Sequence, residues 1–546
     1  MKFSKRLVAA AMVTLMALTS TQVLAAGLPP EGLEDAVAVE DIVAAEEEAV
    51  EAVDEEALLD ESELPAELIE SEEEEQTSEE EIVDDESMNG MDVDDEILAE
   101  DVVDDDALEV ERWGEWFLSK PSAWAKKEVF MAEMYGVAVN AWFVDYQGNL
   151  TFSDFLQMHK QFCARLGVTD TVMLPADGVI SRGYVLRELY DVVCVATKTP
   201  APNTNAALAF FVEQGLISGR VDGDYGLTEV CTVQEALIFT KRVVEHVLQD
   251  SGDASTGFLW RISDEDNVVY LLGSIHVGTQ DLFPMSKSIM DAYEATAHLA
   301  VEIDILDEEI IEWTDELLES IAEYEVFMDG TVLKDVLDEE TYAVICEIMA
   351  WLEVPEEEFE QFKPWVFVEL LTAIYEMEMA YEGYEAYAEY IIGIDEFFLL
   401  LAKMEEKQIH SLETMDLQVE LMCNMPMPVQ VEMLKYMLGF PSAMEEDGDI
   451  SIEDMIRVWC DGDAEKLAKI AGHLPEDENE IQAMYNKKML TDRNEGMIVK
   501  VQIMLEGTGE TGNDDVLVVV GAAHVIYEDG IVAAFEAMGY TVERLR

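Results

Sequence analysis

Positive charge is what this chain lacks most: 31 Lys and Arg stand against 120 Asp and Glu over 546 residues, a formal net charge of -89. A surface this acidic repels phosphate and offers no basic stripe from which counterions could be released. No nucleic-acid partner is expected, and cations are the natural companions. Long apolar runs are missing too. Beyond the first residues, no uninterrupted stretch approaches the roughly 20 residues that a membrane-spanning helix needs. Cysteine is scarce, with six in all and none in the close paired spacing of a zinc knuckle. Cys163, Cys194 and Cys231 fall in one region and Cys346, Cys423 and Cys460 in another, an odd number in each, so buried free thiols are the expectation. Aromatic residues are absent between 31 and 112, where 38 acidic residues face one basic residue.

That last absence sets the domain organisation. A stretch so charged cannot bury enough apolar area to offset its chain entropy, so residues 26–112 are expected to form a disordered acidic linker. Before it, Lys2, Lys5 and Arg6 precede an apolar run from Leu7 to Leu18, and Val23-Leu24-Ala25 offers a small-residue cleavage site. This reads as a signal peptide over residues 1–25, and hence a secreted or cell-surface protein. Order is expected to begin at Trp113, and the length calls for more than one core.

Residues 113–250 read as short helices joined by glycine turns, with Thr151, Ser181 and Thr232 each opening a helix as N-cap. The units around Tyr135-Gly136, Ile180-Ser181-Arg182-Gly183-Tyr184 and Asp222-Gly223-Asp224-Tyr225 show a loose internal similarity. The pattern resembles S-layer homology repeats, which implies attachment to a cell-wall polymer. That family's Thr-Arg-Ala-Glu type motif is altered here. Phe152 and Val233 stand where its Arg would be, and only Arg182 is retained. The alternative is a helical module that packs against the rest of the chain or a partner.

Chemistry concentrates after residue 256. Phe258-Leu259-Trp260-Arg261-Ile262 and Val268-Val269-Tyr270-Leu271-Leu272 read as strands around an Asp-rich turn, the second ending in Gly273-Ser274-Ile275-His276. A helix from about Pro284 to Ala297 and a strand over Leu299–Asp304 complete a β-α-β unit, which predicts parallel strands. Val516-Leu517-Val518-Val519-Val520 has the continuous apolar character of a strand buried on both faces, and it ends in Gly521-Ala522-Ala523-His524. Tyr540–Arg544 closes as an edge strand. Two interior strands thus each deliver a glycine and, three residues on, a histidine.

Ligands gather beyond the carboxyl ends of strands in open α/β sheets, and Gly273 and Gly521 allow backbone and following side chain to approach one there. Two imidazoles and a carboxylate are the minimum of many catalytic metal sites, and Glu302, on what reads as the adjacent strand, is placed to complete the set. His159, His246, His298, His410 and His473 are not assigned to the site.

The segments Leu271–Gly278, Asp281–Pro284, Ala300–Asp304, Phe362–Trp365, Ser411–Thr414 with Gln418, Arg493-Asn494 and Val520–His524 are together similar to the TraB/GumN/Tiki family over residues 256–546. The resemblance implies a metal-dependent peptidase for one branch, with manganese or cobalt ahead of zinc, and shutdown of peptide pheromones for bacterial branches. Carried onto this chain, it makes His276 and His524 metal ligands and Glu302 a third ligand or the base, with Glu413 competing for those roles. Arg493 would stabilise an oxyanion, clamp a substrate carboxylate or pair with Glu413, and Asn494 would donate beside it. A peptide or protein substrate follows from that reading. The alternative is a non-catalytic surface protein that sequesters a peptide signal. Oligomeric state is not legible.

Residues 306–485 form a helical insertion in which Tyr342–Leu352 and Val366–Met377 show apolar spacing of three and four, and whose Met and aromatic residues form either core or a substrate groove. The expected fold class is therefore α/β: a mixed, mostly parallel sheet with flanking helices and a large helical insertion, preceded by a small all-α module and the linker.

Overall fold

The computed structural model describes residues 121–546 except 139–144, 170–177, 200–203, 220–222, 265, 308–323, 353, 383–389, 445–450 and 471–478. The residues expected to form a signal peptide and an acidic linker, and Trp113, lie outside the described residues.

In chain order the strands are β1 (Phe258–Ser263), β2 (Val268–Ser274), β3 (Val277–Thr279), β4 (His298–Val301), β5 (Tyr390–Ile392), β6 (Gln408–Ser411), β7 (Val516–Gly521) and β8 (Thr541–Leu545). Six of them form one sheet in the order β6-β4-β7-β2-β1-β8, and β3 pairs with β5 separately. β6, β4, β7 and β2 run parallel, while β1 is antiparallel to both β2 and β8. The sheet is mixed and mostly parallel. Val516 to Val520 are completely buried, which explains why β7 reads as an unbroken apolar run.

Two boundaries differ from the sequence reading. The helix after β2 begins at Lys287 rather than Pro284, because a 3-10 turn over Gln280–Leu282 precedes it. β4 ends at Val301, so Glu302 follows the strand instead of lying on it. β4 is also not the neighbour of β2: β7, from the far end of the chain, lies between them. The crossover skips one position, a choice that local sequence does not encode.

The first helices are α1 (Lys126–Met134), α2 (Phe152–Arg165), α3 (Arg182–Ala196), α4 (Thr204–Glu213) and α5 (Val233–Ser251). Thr151, Ser181 and Thr232 each accept a backbone N–H of the following turn, and Thr232 forms a full capping box with Glu235. Arg182 donates to the Tyr225 carbonyl and pairs with Glu235, so it is tied within the helices. These helices share one continuous core with the sheet. Phe130 of α1 stacks 5.5 Å from Phe397, which lies 4.8 Å from Phe283.

Helix α6 (Lys287–Ala295) covers the sheet. The insertion supplies α7 (Glu339–Trp351), α8 (Pro364–Glu382), α9 (Ile394–Met404), α10 (Met415–Cys423), α11 (Met427–Met437) and α12 (Ile452–Asp461). It also supplies β6, which joins the main sheet beside β4. Much of the insertion builds a second core, in which Met349, Met425, Met433, Met437 and Met489 are buried, so these methionines act as packing and do not line a groove. Helices α13 (Asp492–Leu505), α14 (Ala522–Ile526) and α15 (Ile531–Met538) finish the chain. All six cysteines are free, and four are buried. Among the described residues no helix is long and apolar enough to cross a membrane.

Glu133 of α1 is buried. One of its oxygens accepts the Tyr146 hydroxyl and the other has no partner. Burial pushes its carboxyl up from 4.5 to about 7. Below the lower value both folded and unfolded chains carry the proton. Between the two, only the unfolded chain releases it, so stability falls as pH rises through this window and the loss is complete above the folded pKa. Glu133→Gln removes that slope. Urea denaturation at pH 5 and pH 8 should show the wild type losing on the order of 3 kcal/mol relative to the variant.

Candidate active site

All four parallel strands point their carboxyl ends at one place. β2 is followed by His276, β4 by Glu302, β6 by Glu413 and β7 by His524 on α14. Register brings them level: Ser274 pairs with Gly521, and Val301 pairs with both Val519 and Ser411. Just past the strands, the Leu412 and Glu413 amides continue the ladder to the Val301 and Glu302 carbonyls, each at 2.8 Å.

Gly521 lies at the centre. A Cβ there would sit 3.3 Å from Glu302 Oε1, 3.6 Å from His276 Nε2 and 3.6 Å from His524 Cδ2. Its φ of -48° is open to any residue, so what glycine contributes is space beside these three side chains and not backbone freedom. Gly393 has a similar reason: a Cβ would stand 2.3 Å from the His276 carbonyl carbon, and the next amide, Ile394, donates to the Ile275 carbonyl.

Charge in the cluster is organised by Arg493 on α13, which starts after a π-helical turn over Lys487–Thr491. Its Nε donates to Glu413 Oε1 at 2.9 Å, and one terminal nitrogen donates to Glu413 Oε2 at 2.6 Å and also to Glu302 Oε2. Its remaining terminal nitrogen reaches the Met489 carbonyl at 3.4 Å. Gln418 adds a donor to Glu413 Oε2 at 3.2 Å. The other oxygen of Glu302 accepts the Gly521 amide at 2.7 Å. Burial opposes a charge on Glu302. Arg493 outweighs it, helped by His524, His276 and the Gly521 amide, and holds the carboxyl far below the usual carboxylate range. Burial likewise opposes the Arg493 charge, and the two glutamates raise its pKa above the ordinary value.

The imidazoles are set from outside. Asn494 Nδ2 donates to the Asp529 carbonyl, which fixes the amide orientation and turns Oδ1 toward His524 Nδ1 at 2.7 Å. His524 therefore carries its proton on Nδ1 and presents a bare Nε2, 3.8 Å from Glu302 Oε1. Burial, and then Arg493, lower its pKa to about 3, so the ring is neutral. Nδ1 of His276 lies 2.9 Å from Asp395 Oδ2 on α9. Burial pulls this imidazole down, but Asp395 and then Glu302 prevail and raise its pKa.

The structure brings together Gly273, His276, Glu302, Glu413, Arg493, Asn494, Gly521 and His524. Asn494 stands beside Arg493 in sequence, yet it serves His524. Asp395 and Gly393 escaped the sequence reading, as did the role of Gln418. The one local sign was the run Gly393-Ile394-Asp395, a glycine and an acid at the start of an apolar helix. His298 opens β4, away from the carboxyl edge, and is hydrogen-bonded to His410 at 3.0 Å. His159 is buried in α2 and His246 lies on α5, while His473 is outside the described residues.

Glu302, Glu413, Arg493 and His524 are each at most 6 % exposed. A cavity of about 20 Å³ adjoins His276, Glu302 and Asp395. Ser274 Oγ and Asp395 Oδ1 border it without protein hydrogen-bond partners, a setting with room for one water. Among the described residues, no group of three or more His, Cys, Asp or Glu side chains already stands close enough to hold a metal ion.

Residues 258–544 match the TraB/PrgY/gumN family, and the protein belongs to it. No curated protein and no solved structure matches the chain.

Removing Arg493 leaves two carboxylates buried together. Arg493→Met should destabilise the protein by about 3–5 kcal/mol in urea denaturation, and adding Glu413→Gln should recover part of that loss. A change under about 1 kcal/mol would mean that this triad does not hold the strand ends together.

Proposed function

We propose that the protein is an exported, metal-dependent hydrolase that cleaves extracellular peptides or proteins at His276, His524 and Glu302. The matching set of the two imidazoles carries this reading. Each has its Nδ1 side against an outer oxygen, from Asp395 or Asn494, and turns the other edge of its ring toward Gly521 and Glu302. Outer-shell oxygens orient metal-binding histidines in just this way. Export rests on the basic residues Lys2, Lys5 and Arg6 ahead of the apolar run Leu7–Leu18.

The donor set fits a divalent ion. Two imidazole nitrogens and one carboxylate oxygen suit manganese, cobalt or zinc, and they surround the space that a Cβ on Gly521 would fill. Holding an ion requires these donors to draw closer than they stand. A divalent cation there supplies Lewis-acid polarisation of a carbonyl and lets water attack near neutral pH. The protein's own groups prepare the site. Arg493 and the Gly521 amide keep Glu302 ionised and fixed, and Asn494 keeps His524 in the tautomer with a free Nε2. Glu413, itself held by Gln418, and Glu302 take up Nε and one terminal nitrogen of Arg493, so we assign Arg493 to organising Glu302 in place of an oxyanion role.

The test is metal loading of chelator-treated protein with manganese, cobalt or zinc, together with cleavage of a mixed peptide library. His276→Ala and His524→Ala should abolish stoichiometric metal and cleavage while circular dichroism stays unchanged. Asn494→Ala and Asp395→Ala should weaken metal by about 10–100-fold. Failure to take up any of the three metals, or cleavage that survives both histidine substitutions, rules the reading out and leaves peptide sequestration.

A further inference from the structure

A second cavity, of about 210 Å³, lies against the other members of the site. Its floor is the Glu413–Arg493 pair, and Leu412, Leu417, Leu421 and Met497 supply apolar walls from β6's end, α10 and α13. Leu417 is 38 % exposed at this surface, an uncovered apolar side chain beside a buried ion pair. Lys488 and Asp492 border the cavity too, 3.3 Å apart in an ion pair, and Glu420 adds an acidic group to the rim.

An independent observation concerns Gly496. It sits inside α13, where glycine weakens a helix relative to almost any other residue. Neither backbone nor packing explains it: it is a regular helical residue, and a Cβ built there meets nothing within 4 Å. It borders the cavity. Space, then, is what the missing side chain leaves open.

We infer that this cavity is a substrate subsite that accepts an apolar side chain near the scissile bond, of leucine or phenylalanine size. The inference rests on the hydrolase reading for its role, and the cavity's shared wall with Glu413 and Arg493 ties it to the reaction centre. Apolar walls favour a larger hydrocarbon side chain over alanine by about 10-fold or more, and the acidic Glu420 on the rim disfavours an acidic one.

Gly496→Leu tests this directly, because it extends into the cavity from a position where a Cβ meets no neighbour within 4 Å and the helix gains propensity. The probes are N-acetyl-leucinamide and N-acetyl-alaninamide, titrated by calorimetry into the full-length protein, with the melting temperature recorded in parallel. The wild type should bind the leucine probe about 10-fold or more tighter than the alanine probe, and Gly496→Leu should lose that difference while its melting temperature stays level or rises. His276→Ala should keep it. Leucine selectivity in a protein that cleaves no peptide removes the hydrolase reading and leaves the subsite standing. Cleavage whose side-chain preference is the same in wild type and Gly496→Leu removes the subsite and leaves the hydrolase. Equal binding of both probes by the wild type also overturns the subsite.

Discussion

One buried guanidinium decides how this site is assembled. Among the described residues Arg493 is the only cation that joins Glu302, after β4, to Glu413, after β6, and both acids are hidden from solvent. Without it, two carboxylates at neighbouring strand ends would repel each other in a low-dielectric setting, and one would take up a proton. With it, Glu302 stays ionised, its second oxygen is free to meet the Gly521 amide, and the edge strand contributed by the insertion is locked to the centre of the sheet. In a chain with so few cations, one is buried where two acids converge.

The fold was readable wherever burial leaves a periodic trace. The apolar run of β7, the two Gly-x-x-His strand ends and the capped helices of the first module are local features, and local rules found them. The site was readable where residues follow strands directly. Asp395 was not, because it reaches His276 from the start of a helix deep inside the insertion, and an acid opening a helix is ordinary N-terminal chemistry. Asn494 was read only as a donor beside Arg493, and its contact with His524 was hidden for a geometric reason: consecutive residues of a helix diverge by about 100° around its axis, so neighbours in sequence serve different groups in space. The sheet order was hidden as well, since nothing near β2 or β4 records that a strand more than two hundred residues later lies between them.

The insertion is more than a cap. It has its own methionine-rich core, yet it also supplies β6 and Glu413 to the sheet, Gln418 to Glu413, and Asp395 with Gly393 to His276. The geometry of the candidate site therefore depends on both cores being folded. Membership of the TraB/PrgY/gumN family covers this whole arrangement, from the first strand to the last.

The stacked rings of Phe130 and Phe397 give the amino-terminal helices a mechanical consequence. Phe397 sits on the first turns of α9, on the same rigid rod as Asp395, whose carboxylate faces the His276 ring. A push on α1 has a short route to the candidate site: ring against ring, along half a helical turn, then carboxylate against imidazole. The first turn of α9 thus links the candidate site to the module that sequence divides from the rest of the chain.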